Sequence, residues 1–402
     1  MQKPSHDLVI VGGGLAGATL GIAMARHGFR PVIIEREKAF RERIRGELLM
    51  PWGVAEAERL GILDLLHQTC GREATHWQTM VDGVSSPMRD LKATMPSGHG
   101  AMTFLHIAMQ EILLGEAVAA GAEVIRGAIV RSVTGDPRPT ADFEVEGRRA
   151  SVSGRLIVGA DGRESKARAW GGFSVREAPE YLYIAGMQLQ GAMPLGPAVH
   201  FFMDSRRGLT SILVQTTPDL YRVYLMHHKD GLPRRLSGER DVPAALAHLA
   251  AVGIPRAWLD TVKPYGPFAT FDARHRWIEH PARAGMTLVG DAAANSDPVW
   301  GNGLSRTLRE VRRLRDRLLE DEDWNRAIDL YAREQVTDFE KLTRLEMMKA
   351  ELMFEPGPDA DARRERVFAL LEKEPDRYPD TVGLGPDAPS DDRARARFFG
   401  EI

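Results

Sequence analysis

The sequence predicts an α/β fold in three parts: a Rossmann-like domain on a parallel sheet, a β-rich domain on an antiparallel sheet, and a helical C-terminal region. Three observations predict it. Leu8-Val9-Ile10-Val11 runs into Gly12-Gly13-Gly14-Leu15-Ala16-Gly17, then a small-residue helix, then Pro31-Val32-Ile33-Ile34 closing on Glu35. Two further apolar runs, Leu156-Ile157-Val158 and Met286-Thr287-Leu288-Val289, also lead into glycine and aspartate. Residues 181–228 change to β-rich runs split by Gly, Pro and Asp turns.

Each piece of the first motif has a job in holding a dinucleotide. The apolar run reads as a strand buried on both faces. Gly12 allows the tight turn, Gly14 lets backbone approach a pyrophosphate, and Gly17 lets helix pack on strand. The N–H groups where Leu15 and Ala16 open the helix suit phosphate. Glu35 ends the second strand, where a carboxylate accepts hydrogen bonds from ribose hydroxyls. A strand–helix turn without a ligand would not need that acid.

Composition bounds the function. At 402 residues the chain can bury a large core, and its length favours two or three domains. A net charge of −3 speaks against a general nucleic-acid binder, which needs a basic surface. The single cysteine, Cys70, excludes an internal disulfide framework, a C-x-x-C redox pair and a thiol zinc site. Met1–Asp7 is polar, and no apolar run approaches the roughly 18 residues that span a bilayer. A cytoplasmic protein without signal peptide or membrane contact is therefore expected.

After Glu35 comes a basic run, Arg36, Lys38, Arg41, Arg43 and Arg45, ending in Gly46-Glu47. Such runs are commonly solvated, yet an arginine fork suits phosphate oxygens; Arg36 and Arg45 are candidates, with Arg45 preferred. Pro51-Trp52-Gly53 precedes a helix over Val54–Leu60, stopped by Gly61. Residues 72–100 are irregular and leave the first domain before returning. A helix over Ala108–Ala120 follows, then a strand from Glu123 and a hairpin of Ala128–Val133 with Phe143–Glu146. Asp161 ends the third strand, where open α/β sheets bind ligands, although Asp161-Gly162 would equally serve as a turn.

The β-rich runs are Tyr181–Leu189, Ala198–Met203, Leu209–Thr216 and Tyr221–His228. Pro243–Val252 reads as a helix and Pro264–Phe271 as an extended return. A helix from Leu304 to about Leu319 places Leu308, Val311, Leu314 or Arg315, and Leu318 on one side, with its arginines in water. Glu322–Met353 reads as one or two helices packing back on the first domain, and Asp361–Lys373 as a short helix.

In one parallel sheet the ends Gly12–Gly17, Gly159–Gly162 and Gly290–Ala293 line up along one edge. Asp291, opening a helical segment, suits a hydroxylated linker such as ribityl. Gly301-Asn302-Gly303 offers backbone where a flat ring approaches closely. Together these favour non-covalent FAD over NAD as the resident cofactor.

On these residues the chain resembles a group A flavoprotein monooxygenase, the single-component aromatic-hydroxylase type. The motifs are Gly12-x-Gly14-x-x-Gly17 with Glu35; Gly159-Ala160-Asp161-Gly162 with Ser165 and Arg168; and Gly290-Asp291 through Pro298 to Gly301-Asn302-Gly303-Leu304. The resemblance implies a glutathione-reductase-type FAD-binding domain from residues 1–75, 101–175 and 285–355. A substrate domain from 76–100 and 176–284, and a C-terminal helix and tail over 356–402, complete it. It implies that Glu35 binds the adenosine ribose and Arg45 the flavin–phosphate region. Asp161 would shape the FAD site and assist the nicotinamide encounter, and Asp291 would bond the ribityl chain. Pro298 with Gly301 to Leu304 would line the isoalloxazine, and Gln110 holds a position where flavin contact is common. Two residues depart from the family: His106, where arginine is usual, and Ala294, where histidine is frequent.

The resemblance further implies that NADPH or NADH reduces FAD transiently and that O₂, held as a C4a-hydroperoxide, delivers an oxygen atom. The substrate would be a small organic molecule, aromatic or a natural product, hydroxylated or epoxidised. The flavin carries the chemistry, so no catalytic side chain is assigned, with Pro298 near it, and no metal is expected. The substrate pocket is expected between flavin and β-rich sheet, lined by Tyr183, Met187, Phe201, Met203 and Leu213. Rival readings are a halogenase, whose Trp-x-Trp-x-Ile-Pro motif does not occur here, a prenyl-type reductase without oxygen insertion, and a non-catalytic flavin-binding protein.

Overall fold

The computed structural model describes residues 5–402; Met1–Pro4, the start of the polar lead, lie outside the described residues. The strand Leu8–Val11 stands inside a six-stranded sheet in the order Ala282–Arg283, Met286–Leu288, Leu156–Gly159, Leu8–Val11, Pro31–Glu35, Glu123–Arg126. All neighbours are parallel except Ala282–Arg283. Both faces are covered, which explains the unbroken apolar runs. Leu8, Ile10, Ile33, Leu156 and Val158 meet the helices Leu15–Arg26, His106–Ala119 and Gly303–Glu320. Val9, Val11, Val32, Ile34 and Ile157 meet Ala128, Val133, Ala141 and Phe143.

Those last residues belong to a three-stranded meander, one strand more than the expected hairpin: Ala128–Thr134, Thr140–Val145 and Arg148–Ser153. Glu146 and Gly147 both take positive φ, 52° and 75°, as a two-residue hairpin turn requires. The added strand escaped notice because it is mostly exposed and polar.

The β-rich runs form an eight-stranded sheet ordered Val262–Asp272, Leu182–Gly191, Leu220–His228, Leu209–Gln215, Ala198–Asp204, His76–Val81, Val84–Ser85, with Arg89–Asp90 also on His76–Val81. Its two faces fill different cores. Ile184, Phe201, Met203, Ile212, Val214 and Met226 face Leu48, Met50, Val299 and Trp300. Leu189, Phe202, Val223 and Leu225 lie under the Val242–Ala251 helix residues Ala245 and Leu249.

The helix expected at Val54 begins earlier, at Pro51, and runs to Arg59 with Gly53 inside it. A Cβ at Gly53 would lie 2.2 Å from Ser305 Oγ, so this glycine serves a close helix crossing rather than a turn. Trp324–Met353 is one helix of 30 residues, capped by the Asp323 carboxylate. The Gly303–Glu320 helix buries Leu308, Val311, Leu314 and Leu318 as expected. Its arginines do not all face water: Arg306 is 2% and Arg309 6% exposed. The helix packs against Leu15–Arg26, Pro51–Arg59 and Trp324–Met353, which leaves it little solvent-facing surface. Arg309 and Arg312 instead pair with the fully buried Glu56, and Arg309 also reaches Asp387 at 2.9 Å. Beyond the long helix, Phe398 and Phe399 seal the tail onto Met348 and Leu352. Among the described residues no helix is long and apolar enough to cross a membrane.

Candidate functional site

Backbone hydrogen bonds tie the three predicted strand ends into one ledge. Gly12 N–H donates to Ile34 O (2.9 Å), Ala160 N–H to Val11 O (2.8 Å) and Val289 N–H to Gly159 O (3.0 Å). Gly12 stands at φ 104°, and a Cβ on Gly17 would lie 1.9 Å from Gly12 O. A Cβ on Gly290 would lie 3.2 Å from that of Ala16, so the first and third motifs abut. The helix opening at Leu15 and Ala16 brings the unused N–H donors of its first turn to this ledge.

Three acids mark it. Glu35 is buried, and its carboxylate accepts from Gly13 N–H (2.7 Å) and Glu37 N–H (2.8 Å). Asp161 Oδ2 accepts from Lys166 and Ala167 N–H at 2.7 and 3.0 Å, while its Oδ1 is buried without a partner among the described residues. Asp291 Oδ1 lies 3.4 Å from Arg306 Nη2. Arg306 also pairs with Glu310, whose other oxygen accepts from Gly290 N–H at 2.7 Å. Glu310, missed in the sequence, thus braces the third turn; its signal is the four-residue spacing from Arg306.

Arg45 is half-buried, and its guanidinium has no hydrogen-bond or ion-pair partner among the described residues; burial lowers its pKa while the nearby Asp291 charge raises it. Arg36 is exposed and pairs with Glu37 at 3.5 Å. Gln110 Nε2 would be 3.6 Å from a Cβ on Gly14, and Gly162 and Gly303 have open space beside them. A diphosphate and a hydroxylated chain would supply what Arg45 and Asp161 Oδ1 lack, so the donor set fits FAD.

The third motif turns sharply. Asp297 Oδ1 caps Val299 N–H (2.8 Å) over Pro298–Trp300, Gly301 takes φ 67°, and Asn302 opens the next helix. A Cβ on Gly46 would touch Leu304 at 3.5 Å, which sets Arg45-Gly46 against Gly303-Leu304.

The five expected pocket residues divide between the two faces of the large sheet. Phe201 and Met203 share a core with Met50, Val299 and Trp300, on the side of the Pro298–Trp300 turn. Met187 and Leu213 lie in the opposite core, under the Val242–Ala251 helix. Tyr183 shares the parity of Met187, and its hydroxyl accepts from Arg235 at 2.6 Å with the guanidinium over its ring. Tyr183, Met187 and Leu213 are therefore corrected: alternation sends them away from the ledge.

In their place the ledge-facing side presents Arg222 and Tyr224. Arg222 is fully buried; its Nε donates to Glu47 Oε2 at 2.5 Å, and its Nη2 to Glu47 Oε1 at 3.0 Å and Glu42 Oε1 at 2.8 Å. Burial alone would lower its pKa, but the Glu47 hydrogen bond and the neighbouring charges raise it above the usual arginine value. Tyr224 Oη donates to Arg45 O at 2.5 Å. The signal was an arginine at a strand position with the core-facing parity of Met226.

His106, which replaces the family arginine, donates from Nδ1 to Gly46 O at 2.8 Å, and burial pushes it down to about 4. His275 is 4% exposed and is likewise held down to about 4, by burial and then by Arg306. Both stay neutral in the fold while the unfolded chain takes up protons near pH 6.5. Their stabilisation is present above that pH and lost as pH falls towards 4. His275 alone is expected to account for about 3 kcal/mol of that loss. Urea midpoints measured across this range should fall steeply for the native chain and less for His275→Phe.

Comparison with known proteins agrees with the geometry. A family model described as FAD binding domain matches residues 5–335. Ubiquinone hydroxylase UbiL of Rhodospirillum rubrum is 27% identical over 350 residues, 78% of this chain and 72% of that protein. A 6-methylpretetramide 4-monooxygenase of Streptomyces rimosus is 25% identical over 401 residues, 92% of this chain and 89% of that protein. Among solved structures, the flavin-dependent brominase Bmp2 superimposes with a TM-score of 0.78 at 16% identity, covering 99% of this chain and 98% of that one, a likeness of fold alone. The group A monooxygenase resemblance is thus borne out by relatives that are a hydroxylase and a monooxygenase, and the chain belongs to the FAD binding domain family.

Proposed function

We propose that this protein is an FAD-dependent monooxygenase that uses NAD(P)H and O₂ to hydroxylate or epoxidise a small organic substrate. The observation that carries the reading is the juxtaposition of two surfaces. The glycine ledge, with Arg45 and Asp161 Oδ1 unpartnered among the described residues, leads on to the Pro298–Trp300 turn, whose Val299 and Trp300 pack on the apolar face of the large sheet. When bound, FAD supplies electron transfer from the nicotinamide and activation of O₂.

The chain's own residues bind and exclude. Glu35 keeps lone pairs beyond its two backbone bonds and accepts the ribose hydroxyls. Arg45 meets the diphosphate and flavin edge, Asp161 Oδ1 and Asp291 take hydroxyls, and Gln110 and the Pro298–Leu304 turn border the ring. Phe201, Met203, Ile212 and Met226 on the sheet keep water from the reacting centre. The hydroxylase and monooxygenase names of the two relatives support this reaction class.

The test is a substrate screen on the purified yellow protein, following NAD(P)H oxidation, O₂ uptake and product mass. A product heavier by one oxygen atom, with matching O₂ consumption, is expected. Substrate reduction without O₂ uptake would assign a reductase, and a halide-dependent product a halogenase.

A further inference from the structure

The Pro298–Gly303 turn is gripped from behind by the long C-terminal helix. Asn302 Nδ2 donates to Glu346 Oε1 at 2.9 Å, with both residues fully buried. Three residues along the helix, Lys349 Nζ stands 4.3 Å from the centre of the Trp300 ring and donates to Thr381 Oγ1 at 2.6 Å. His275 Nδ1 lies 3.9 Å from Glu346 Oε2, and neither atom has a hydrogen-bond partner among the described residues. Ser296 Oγ, Trp300 Nε1 and Asn302 Oδ1 nearby are also buried and unpartnered.

Every element around Glu346 brings a charged or titratable group. Lys349 comes from its own helix, Arg306 from the Gly303–Glu320 helix, Asp297 from the turn and His275 from the segment before Arg276–Ile278. Asp272 faces Asp297, and Asp380 faces Lys349. Burial pushes Glu346 and Asp297 upward and Lys349 and His275 downward, each towards its neutral form. A buried ionic cluster is seldom a good route to stability, because well-packed apolar residues of the same volume do as well or better. Its placement suits another task. The Glu346–Asn302 bond joins the long helix to the residue that opens the Gly303–Glu320 helix, at the turn where the flavin ring is read to lie.

Resting on that reading, we infer that Glu346 is a positioning residue: acting through Asn302, it fixes the Pro298–Gly303 turn against the flavin ring. Its protonation then changes the field and the geometry at the ring.

The test compares the FAD holoenzyme with Glu346→Gln and Glu346→Leu, reading the flavin absorption spectrum, FAD dissociation constant and flavin midpoint potential from pH 6 to 9. Glu346→Leu removes the acceptor for Asn302 and should weaken FAD about tenfold, the equivalent of one hydrogen bond. Glu346→Gln can still accept from Asn302, so its FAD affinity should stay within about twofold of the native value. It should lose a pH-dependent shift of spectrum and potential that the native protein shows. A pH-dependence identical in native protein and Glu346→Gln overturns the inference, and this arm decides even where Glu346→Leu fails to fold. Native-like FAD affinity and spectrum in a folded Glu346→Leu overturn it as well. Failure of the native protein to take up FAD overturns the functional reading itself, a result distinct from either.

Discussion

Arg222→Ala is expected to lower stability by about 3–5 kcal/mol, because it leaves Glu47 as a buried carboxylate without its cation. Glu47 is fully buried, and burial already pushes its carboxyl upward against the pull of Arg222. The loss should appear as an earlier urea midpoint and grow with pH, since without the guanidinium the protonated acid is the form that tolerates burial. Arg222→Met combined with Glu47→Met removes both charges and should recover most of the stability. Equal losses in the single and double variants would show that the pair is not a unit. The single variant should also weaken FAD, because Glu47 ends the Arg45–Glu47 segment whose Arg45 carbonyl is held by Tyr224.

Gly17→Ala is expected to cost about 1–3 kcal/mol of FAD affinity, a loss of roughly 5- to 150-fold, read by titration of the apoprotein. The added methyl would lie 1.9 Å from Gly12 O, a backbone atom that cannot rotate away. Gly115→Ala is the control. It sits within the His106–Ala119 helix with nothing within 4 Å of the new carbon, and should stabilise by about 1 kcal/mol. If Gly17→Ala holds FAD as tightly as the native chain, the close helix–strand crossing is not what shapes the cradle.

The parallel sheet was legible because a strand covered on both faces must be apolar throughout, and each such run ended in residues that only a special turn explains. The same property hid which core each residue of the large sheet enters. Leu182–Gln188 and Leu209–Val214 are buried on both sides, so their letters do not say which core each residue enters. Choosing Met187 instead of its neighbour on the other face is a one-residue error of parity, and it reverses the direction completely. Arg306 and Arg309 were misread for a related reason. A helical wheel assigns charge to water, whereas Glu56 and Asp387, the partners of Arg309, lie 253 and 78 residues away, and Asp291 lies 15 residues before Arg306. Glu346 gives no sequence signal, because its partner Asn302 lies 44 residues away on another element.

The order of strands in the parallel sheet also sets a timetable for the chain's birth. Leu8–Val11 stands beside Leu156–Gly159, which in turn waits for Met286–Leu288. At about 5–20 residues per second, some 15–60 seconds of translation separate the first glycine turn from the last. Until then the nascent polypeptide carries an apolar strand edge without its neighbour, open to pairing with other chains.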